Sequence, residues 1–319
     1  MKAEPLWIGL DVGGSGARAL TVERAEGRWL VPAPPLEFVW GDDFCPVPLR
    51  EQLAYPGELT ALEEVCGSER VRLLAEWVRS LASGRSFRLG VCAPGLKTSD
   101  RLGIQAWRNG PRRLTFLRDL ERSIKGAGGE LVGPLASLCP DSLACALGES
   151  GASEGSLREV SNALCISGGS GVGEALLVDG SCFALDELKP PLPRAWELAG
   201  GDGGSLEDRV APGRVMSSWF EAGETGAPEE CDGEAALRLL EAQDAGLLIL
   251  IERSRAWFSA RGLELDRVAL CQTLGRLYAK APERLEALRS HCGSTELITS
   301  EFRGAPALGA VIAAAGLES

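Results

Sequence analysis

Residues 6–23 read Leu6-Trp7-Ile8-Gly9-Leu10-Asp11-Val12-Gly13-Gly14-Ser15-Gly16-Ala17-Arg18-Ala19-Leu20-Thr21-Val22-Glu23, and this stretch decides the fold. Apolar residues run from Leu6 to Leu10, small residues follow at 13–16, and an apolar, partly β-branched pattern resumes from Ala17 to Val22, which predicts strand, tight turn, strand. The predicted product is a β-hairpin with an acid at its mouth. Consecutive glycines allow positive φ and let backbone N–H groups converge on an anion, while Asp11 at the end of the first strand is suited to hold a hydrated Mg²⁺ beside that anion. Neither GxxxxGK[ST] nor a helix after the turn is present, so the two commoner phosphate-binding glycine motifs do not apply. An ordinary glycine-rich hairpin turn remains the plainer alternative.

The rest of the chain bounds the function. It has 319 residues, 45% of them hydrophobic, enough for about two domains. A net charge of -12 with a sequence pI near 4.8, and no run of lysines or arginines, argue against nucleic acid as a partner. Ten cysteines are scattered through mostly apolar runs such as Val91-Cys92-Ala93 and Leu164-Cys165-Ile166, and no secretory signal precedes them. They read as small core residues in a reducing cytoplasm. There is no CxxC pair, and His291 is the one histidine, so no structural zinc site is expected. The apolar runs 245–251 and 305–317 fall short of the roughly 20 residues that span a bilayer, so no membrane is expected either.

Residues 31–68 are rich in proline, acids and aromatics and read as loops and short pieces, a surface elaboration; an amphipathic helix follows over about 68–81. Phe87–Cys92 reads as a buried strand ending in Ala93-Pro94-Gly95-Leu96, and Trp107-Arg108-Asn109-Gly110-Pro111 forms a loop. Gly95 and Asn109 thereby offer backbone and amide groups to a polar ligand, although both loops also suit mere connections. A helix over about 116–125 and a short strand at 130–132 precede Cys139-Pro140-Asp141-Ser142-Leu143-Ala144-Cys145-Ala146-Leu147-Gly148-Glu149, a small-residue helix that starts just after an acid. Asp141 alone reads as a helix cap that accepts from an N–H two or three residues on.

Residues 162–180 then repeat the opening design: apolar strand, a turn with Gly168, Gly169, Ser170, Gly171 and Gly173, apolar strand, and a second tight turn at Asp179-Gly180. Two such cradles are far more specific than one. Residues 205–221 and 233–260 read as long helices separated by an acidic, glycine-rich loop, and 282–290 as a further helix with proline in its first turn.

In their order, Asp11-Val12-Gly13-Gly14-Ser15-Gly16-Ala17-Arg18, Pro94-Gly95, Asp141 before Ala144-Cys145-Ala146-Leu147-Gly148-Glu149, Ile166-Ser167-Gly168-Gly169-Ser170-Gly171-Val172-Gly173 and Ala305-Pro306-Ala307-Leu308-Gly309-Ala310-Val311 resemble the ROK family of sugar kinases (glucokinase-like) and sugar-responsive repressors, within the actin, heat-shock-chaperone and sugar-kinase superfamily. The resemblance implies an α/β, two-domain actin-like ATPase (ribonuclease H-like) fold with a cleft between domains, each domain carrying a mixed five-stranded sheet. The expected division is an N-terminal domain of 1–112 joined by a C-terminal helix over about 305–319, and a larger domain of 113–304. It implies ATP and Mg²⁺ as cofactors, with Asp11, Gly13, Gly14 and Ser15 matching the first phosphate motif (Asp11 near Mg²⁺, via water), Gly169, Ser170 and Gly171 the second, and Gly275 standing in the adenosine motif. Asp141 matches the catalytic base, and Glu197 and Glu207 match substrate contacts to a small-molecule sugar, glucose by default; Gly95 and Asn109, from the loops described above, are expected among the substrate contacts as well. A homodimer is expected by resemblance only.

The departures are specific. Pro140 stands where the family usually has Asn before the base, Leu198-Ala199-Gly200 lacks the expected histidine after Glu197, the zinc loop is missing, and Gln272 and Thr273 replace glycines of the adenosine motif. The expectation is therefore ATP-dependent phosphorylation of a hexose hydroxyl in the cytoplasm. The alternative is a non-catalytic sugar- or nucleotide-binding regulator of the same fold; a repressor would carry a DNA-binding helix-turn-helix, for which a first strand beginning at Leu6 leaves no room. Polyphosphate as donor is the third reading, disfavoured by the acidic composition.

Overall fold

The computed structural model describes residues 4–25, 28–41, 44–201, 203–231 and 233–317. The chain divides into two compact units, Met1–Ser153 with Arg303–Ser319, and Glu154–Phe302. The first unit begins with β1 (Leu6–Val12) and β2 (Gly16–Ala25), the predicted hairpin, followed by β3 (Arg28–Leu30), β4 (Leu36–Val39), α1 (Leu49–Ala54) and α2 (Ala61–Ala82). Then come β5 (Phe87–Ala93), β6 (Leu96–Lys97), β7 (Ile104–Ala106), α3 (Phe116–Gly126), β8 (Cys139–Pro140) and α4 (Asp141–Gly151). The second unit holds β9 (Ala163–Gly168), β10 (Val172–Val178), β11 (Ser181–Ala184), α5 (Leu206–Val210), α6 (Pro212–Glu221), α7 (Glu234–Ser259), β12 (Arg267–Cys271), α8 (Gln272–Lys280), α9 (Pro282–His291) and β13 (Glu296–Thr299). The chain returns to the first unit in α10 (Ala305–Gly316); residues 318 and 319 of the helix expected to 319 lie outside the described residues.

Both sheets follow one plan. The first has the order β3-β2-β1-β5-β8 with β4 also on β2, six strands where five were expected; the second has the order β11-β10-β9-β12-β13. In each, the hairpin strands are antiparallel (β1 with β2, β9 with β10) and the inner strand then pairs in parallel (β1 with β5, β9 with β12), so each glycine turn opens beside the end of a parallel strand. Parallel strands buried on both faces need near-continuous apolar runs, and Ile8, Leu10, Leu89, Val91, Leu164, Ile166, Val268 and Leu270 supply them.

The division falls after Ser153, later than the expected residue 112. The reason is that β8 extends the first sheet by pairing with β5, and α4 packs against α10. That last packing is close enough to need glycine, since a Cβ on Gly309 would stand 1.7 Å from the Ala144 carbonyl oxygen; so is the packing of α10 on β1, where one on Gly9 would stand 2.0 Å from that of Ala307.

Other boundaries shift for local reasons. α2 starts at Ala61 because Thr60 and Glu63 form a capping box, each side chain meeting the other residue's backbone N–H. The strand expected at 130–132 is reduced to a bridge between Phe87 and Leu131. The helix expected over 205–221 is two, because Pro212 lacks an N–H and Ala211 before it is extended (φ -67, ψ 123).

Candidate functional site

In the first unit, register places the acids. Asp11, near the end of β1, lies opposite Arg18 of β2 and Cys92 of β5. Cys92 and Ala93 in turn face Cys139 and Pro140 of β8, and Asp141 follows as the first residue of α4. Three strand ends thus bring both acids to one edge of the sheet. The Asp11 carboxylate has the Arg18 guanidinium at 3.6 Å and accepts from the Cys92 thiol at 3.6 Å. Burial pushes Asp11 up to about 6; Arg18 opposes the shift and the negative charge of Asp141 adds to it.

Asp141 does not cap α4 as expected, because Pro140 occupies the cap position and Asp141 is the first helical residue, its carboxylate accepting from the Ser142 N–H at 2.9 Å. Burial raises its carboxyl above the ordinary range, and the Lys97 ammonium pulls it back toward the carboxylate. A general base works best when its pKa lies nearer the operating pH than a free aspartate does, and the positive end of a helix favours its charged form.

The turn beside Asp11 is held from several sides. Gly13 N–H donates to the Gly16 carbonyl at 2.7 Å, the Trp40 indole N–H to the Gly13 carbonyl at 2.9 Å, and Arg70 to the Gly14 carbonyl at 3.2 Å. Gly13 and Gly14 are not in the positive-φ region, contrary to expectation. What requires glycine is approach: a Cβ on Gly14 would lie 2.4 Å from the Asn109 carbonyl oxygen. That contact brings the Asn109 loop onto the turn, while the tip residue Ser15 is exposed.

Residues 47–63 are more than the expected surface elaboration, because they fasten this loop. Gln52, fully buried, accepts from Trp107 N–H at 2.7 Å and donates back to its carbonyl at 3.0 Å. Glu63 pairs with Arg112 at 2.6 Å, both side chains almost wholly buried. A buried ion pair with two well-made bonds contributes little net stability but fixes geometry. Gly95, at φ 82, bends the chain beside β7, where a Cβ would meet the Ala106 carbonyl oxygen at 2.2 Å. Lys97, which the sequence reading missed, folds onto this turn; only its position two residues after Pro94-Gly95 hinted at it.

The second unit repeats the turn. Gly169 N–H donates to the Gly171 carbonyl at 2.9 Å, Ser170 at the tip is exposed, and the Gly213 N–H at the start of α6 donates to the Gly169 carbonyl at 2.8 Å. Its acids, however, have internal partners. Glu207, buried, accepts from the Val172 N–H at 3.0 Å, and a Cβ on Gly171 would lie 2.7 Å from its Oε1. Glu197 accepts from the backbone N–H and guanidinium of Arg194; burial pushes its carboxyl up, but those bonds more than offset that and hold it low. Glu174 pairs with Arg253 and accepts from the Ala195 N–H.

Gln272 has φ 62, a conformation that glycine adopts without strain, and its amide donates to the Phe302 carbonyl at 3.2 Å. Gly275 lets α8 lie on β12 and β13, since a Cβ there would stand 2.4 Å from the Leu270 and Ser300 carbonyl oxygens. His291 is exposed at the end of α9. Among the described residues no cysteines are joined by a disulfide, and no helix is long and apolar enough to cross a membrane.

No protein-family model matches this sequence, and no curated protein matches it. Solved structures match over nearly the whole chain. A ROK hexokinase from Thermus thermophilus is 21% identical, with 98% of each chain covered and a TM-score of 0.58. A ROK-family glucokinase from Streptomyces griseus, solved with glucose and AMPPNP, is 15% identical, with 98% of this chain and 99% of that one covered and a TM-score of 0.60. A ROK-family transcriptional regulator, a homologue of the E. coli MLC protein, is 14% identical, with 97% of this chain and 78% of that one covered and a TM-score of 0.55. The chain therefore has the α/β fold of the ROK sugar kinases.

Proposed function

We propose that this chain transfers the γ-phosphoryl group of ATP to a hydroxyl of a hexose or related sugar, with Asp141 as general base. The observation that carries the reading is the meeting of Asp11, the Gly13–Ser15 turn, the Asn109 loop and Asp141 at the ends of β1, β5 and β8. Phosphoryl transfer asks little covalent chemistry of a protein; it asks for alignment, neutralised charge and a place for one proton. Asp141 Oδ would take the proton from the acceptor hydroxyl as its oxygen attacks phosphorus, an assistance worth about 10²–10⁴-fold. The backbone at Gly13–Ser15 would face the phosphates, and Gly95 and Asn109 the acceptor.

A cofactor cation suits this edge. Asp11 is a hard oxygen donor beside a second carboxylate, and a divalent ion relieves the repulsion between them. Mg²⁺ held by Asp11 through water would neutralise charge at the transferring phosphates. AMPPNP in the Streptomyces griseus structure supports ATP as the donor. We place the chain in the reducing cytoplasm, which suits its thiols.

A second reading, a sugar- or nucleotide-binding regulator without turnover, draws on the internal bonding of Glu197 and Glu207, the two glutamates expected to hold sugar hydroxyls. A coupled ADP-release assay with ATP and Mg²⁺ across hexoses, hexosamines and N-acetylated hexosamines separates the two. Turnover with one sugar that disappears in Asp141→Asn establishes the kinase; nucleotide binding with no turnover on any acceptor establishes the regulator.

A further inference from the structure

Lys97 lies in β6, and its side chain folds back over the turn that precedes it. The Nζ donates to the carbonyl oxygens of Ala93 at 2.8 Å, Pro94 at 3.2 Å and Gly95 at 2.8 Å. An ammonium has three hydrogens, and three consecutive carbonyls take them. Lysine normally keeps its charge in water at the end of a flexible stem, so fixing it here costs desolvation and side-chain entropy. Burial accordingly pushes the ammonium below the usual lysine value.

The location explains what the cost achieves. Ala93, which accepts one of the three bonds, is registered against Pro140 in the parallel pair of β5 and β8, and Asp141 is the next residue. The tethered charge therefore stands at the strand ends from which the base emerges. Asp141 is the strongest attraction acting on Lys97, and Lys97 the strongest acting on Asp141. The other titratable groups of this neighbourhood are Asp11 from β1, the thiols of Cys92 and Cys139 from β5 and β8, and Arg101, which repels Lys97. Along α10, which packs on α4, residues 305–316 include no titratable side chain.

We propose that Lys97 is a positioning residue for the base: its ammonium locks the Ala93–Gly95 turn, which carries the Gly95 backbone toward the acceptor, and sets a fixed positive charge beside Asp141. The catalytic consequence rests on the kinase reading above, whereas the electrostatic link between Lys97 and Asp141 does not.

The two are tested together but read separately. The ¹³C resonance of the Asp141 carboxyl is titrated in the wild type, Lys97→Met and Lys97→Arg, with Asp141→Asn to assign the signal. A nearby cation favours the carboxylate, so losing it in Lys97→Met moves the titration upward by roughly one pH unit, while Lys97→Arg stays near wild type. In the ADP-release assay the acid limb of kcat/KM moves by the same amount in Lys97→Met. Lys97→Arg keeps the limb but raises the acceptor KM, because a planar guanidinium cannot serve three carbonyls of one turn. The KM for ATP holds in both variants. An Asp141 signal that titrates at the wild-type pH in Lys97→Met overturns the proposal. If Lys97→Met does not fold, Lys97→Ala with and without added ethylammonium takes its place: a titration lowered by the amine supports the link, and one indifferent to it overturns the link. Absence of turnover in the wild type together with a shifted Asp141 titration defeats the kinase reading and leaves the link standing.

Discussion

The two units build the same device and spend their acids differently. Each folds an antiparallel hairpin around a glycine turn with an exposed serine at its tip, beside a parallel strand. In the first unit Asp11 and Asp141 stand at strand and helix ends, both raised by burial, Asp11 also by the negative charge of Asp141. In the second, Glu207 bonds the turn's own backbone, Glu197 its neighbour Arg194, and Glu174 the Arg253 guanidinium. Glu174 is raised by burial too, but Arg253 and the Ala195 N–H tie it into the fold, whereas Asp11 and Asp141 come together at one edge of their sheet. The duplicated backbone thus gathers two acids at one sheet edge in the first unit and ties its acids into internal bonds in the second.

The sharpest way to break this contrast is Asp141→Asn, which should lower kcat by about 10²–10⁴ while thermal unfolding stays close to wild type. Turnover within a few-fold of wild type would remove Asp141 from the chemistry. Next in size is Asp11. Its folded pKa, about 6, lies above the ordinary 3.8, so between these values the native state binds more protons than the unfolded state and stability falls as pH rises. Relative to Asp11→Asn, the metal-free wild type should lose roughly 3 kcal/mol between about pH 4 and pH 6, read from urea unfolding across that window. Parallel curves for the two proteins would show that Asp11 is not held against its charge. Glu207→Ala should act in the opposite sense to Asp141→Asn. It strips the Val172 N–H of its acceptor and should lower stability by about 1–3 kcal/mol, with Glu207→Gln recovering part. An unchanged stability with a raised acceptor KM would make Glu207 a substrate contact and close the gap between the units.

How much of this was legible depended on the range of the interaction. The hairpins over Leu6–Val22 and Ala163–Val178, and the helices after Asp141 and from Ala305, are written in local alternation and small-residue runs, so the strand-turn-strand pattern was readable. The start of α2 was also local, in Thr60-Ala61-Leu62-Glu63, a signal passed over because the prolines before it suggested loop. Gln52, Glu63 and Arg112 were not readable, since polar residues in a polar stretch look solvated until the chain brings them together. Lys97 escaped for the same reason: its meaning lies in the pairing of Ala93 with Pro140, which strand order alone creates. The glycines of the first turn were expected for positive φ, whereas Gly14 serves close approach to Asn109 and Gly16 close approach to Phe38.

Gln272 gives the smallest test and the finest one. It starts α8 at φ 62, where a Cβ crowds the backbone and glycine does not. Its side chain offsets part of that strain by donating to the Phe302 carbonyl. Gln272→Ala and Gln272→Gly both lose this bond, yet only glycine relieves the conformation, so the glycine variant should be more stable than the alanine variant by about 1 kcal/mol. Against the wild type, the glycine variant should lie within about 1 kcal/mol, because the strain relieved and the bond lost are of similar size. Equal stabilities for the two variants in urea would mean that the backbone has moved out of the left-handed region. The strand-to-helix junction of the second unit would then owe its shape to Gln272 itself and no longer resemble a glycine motif whose backbone has outlived its glycines.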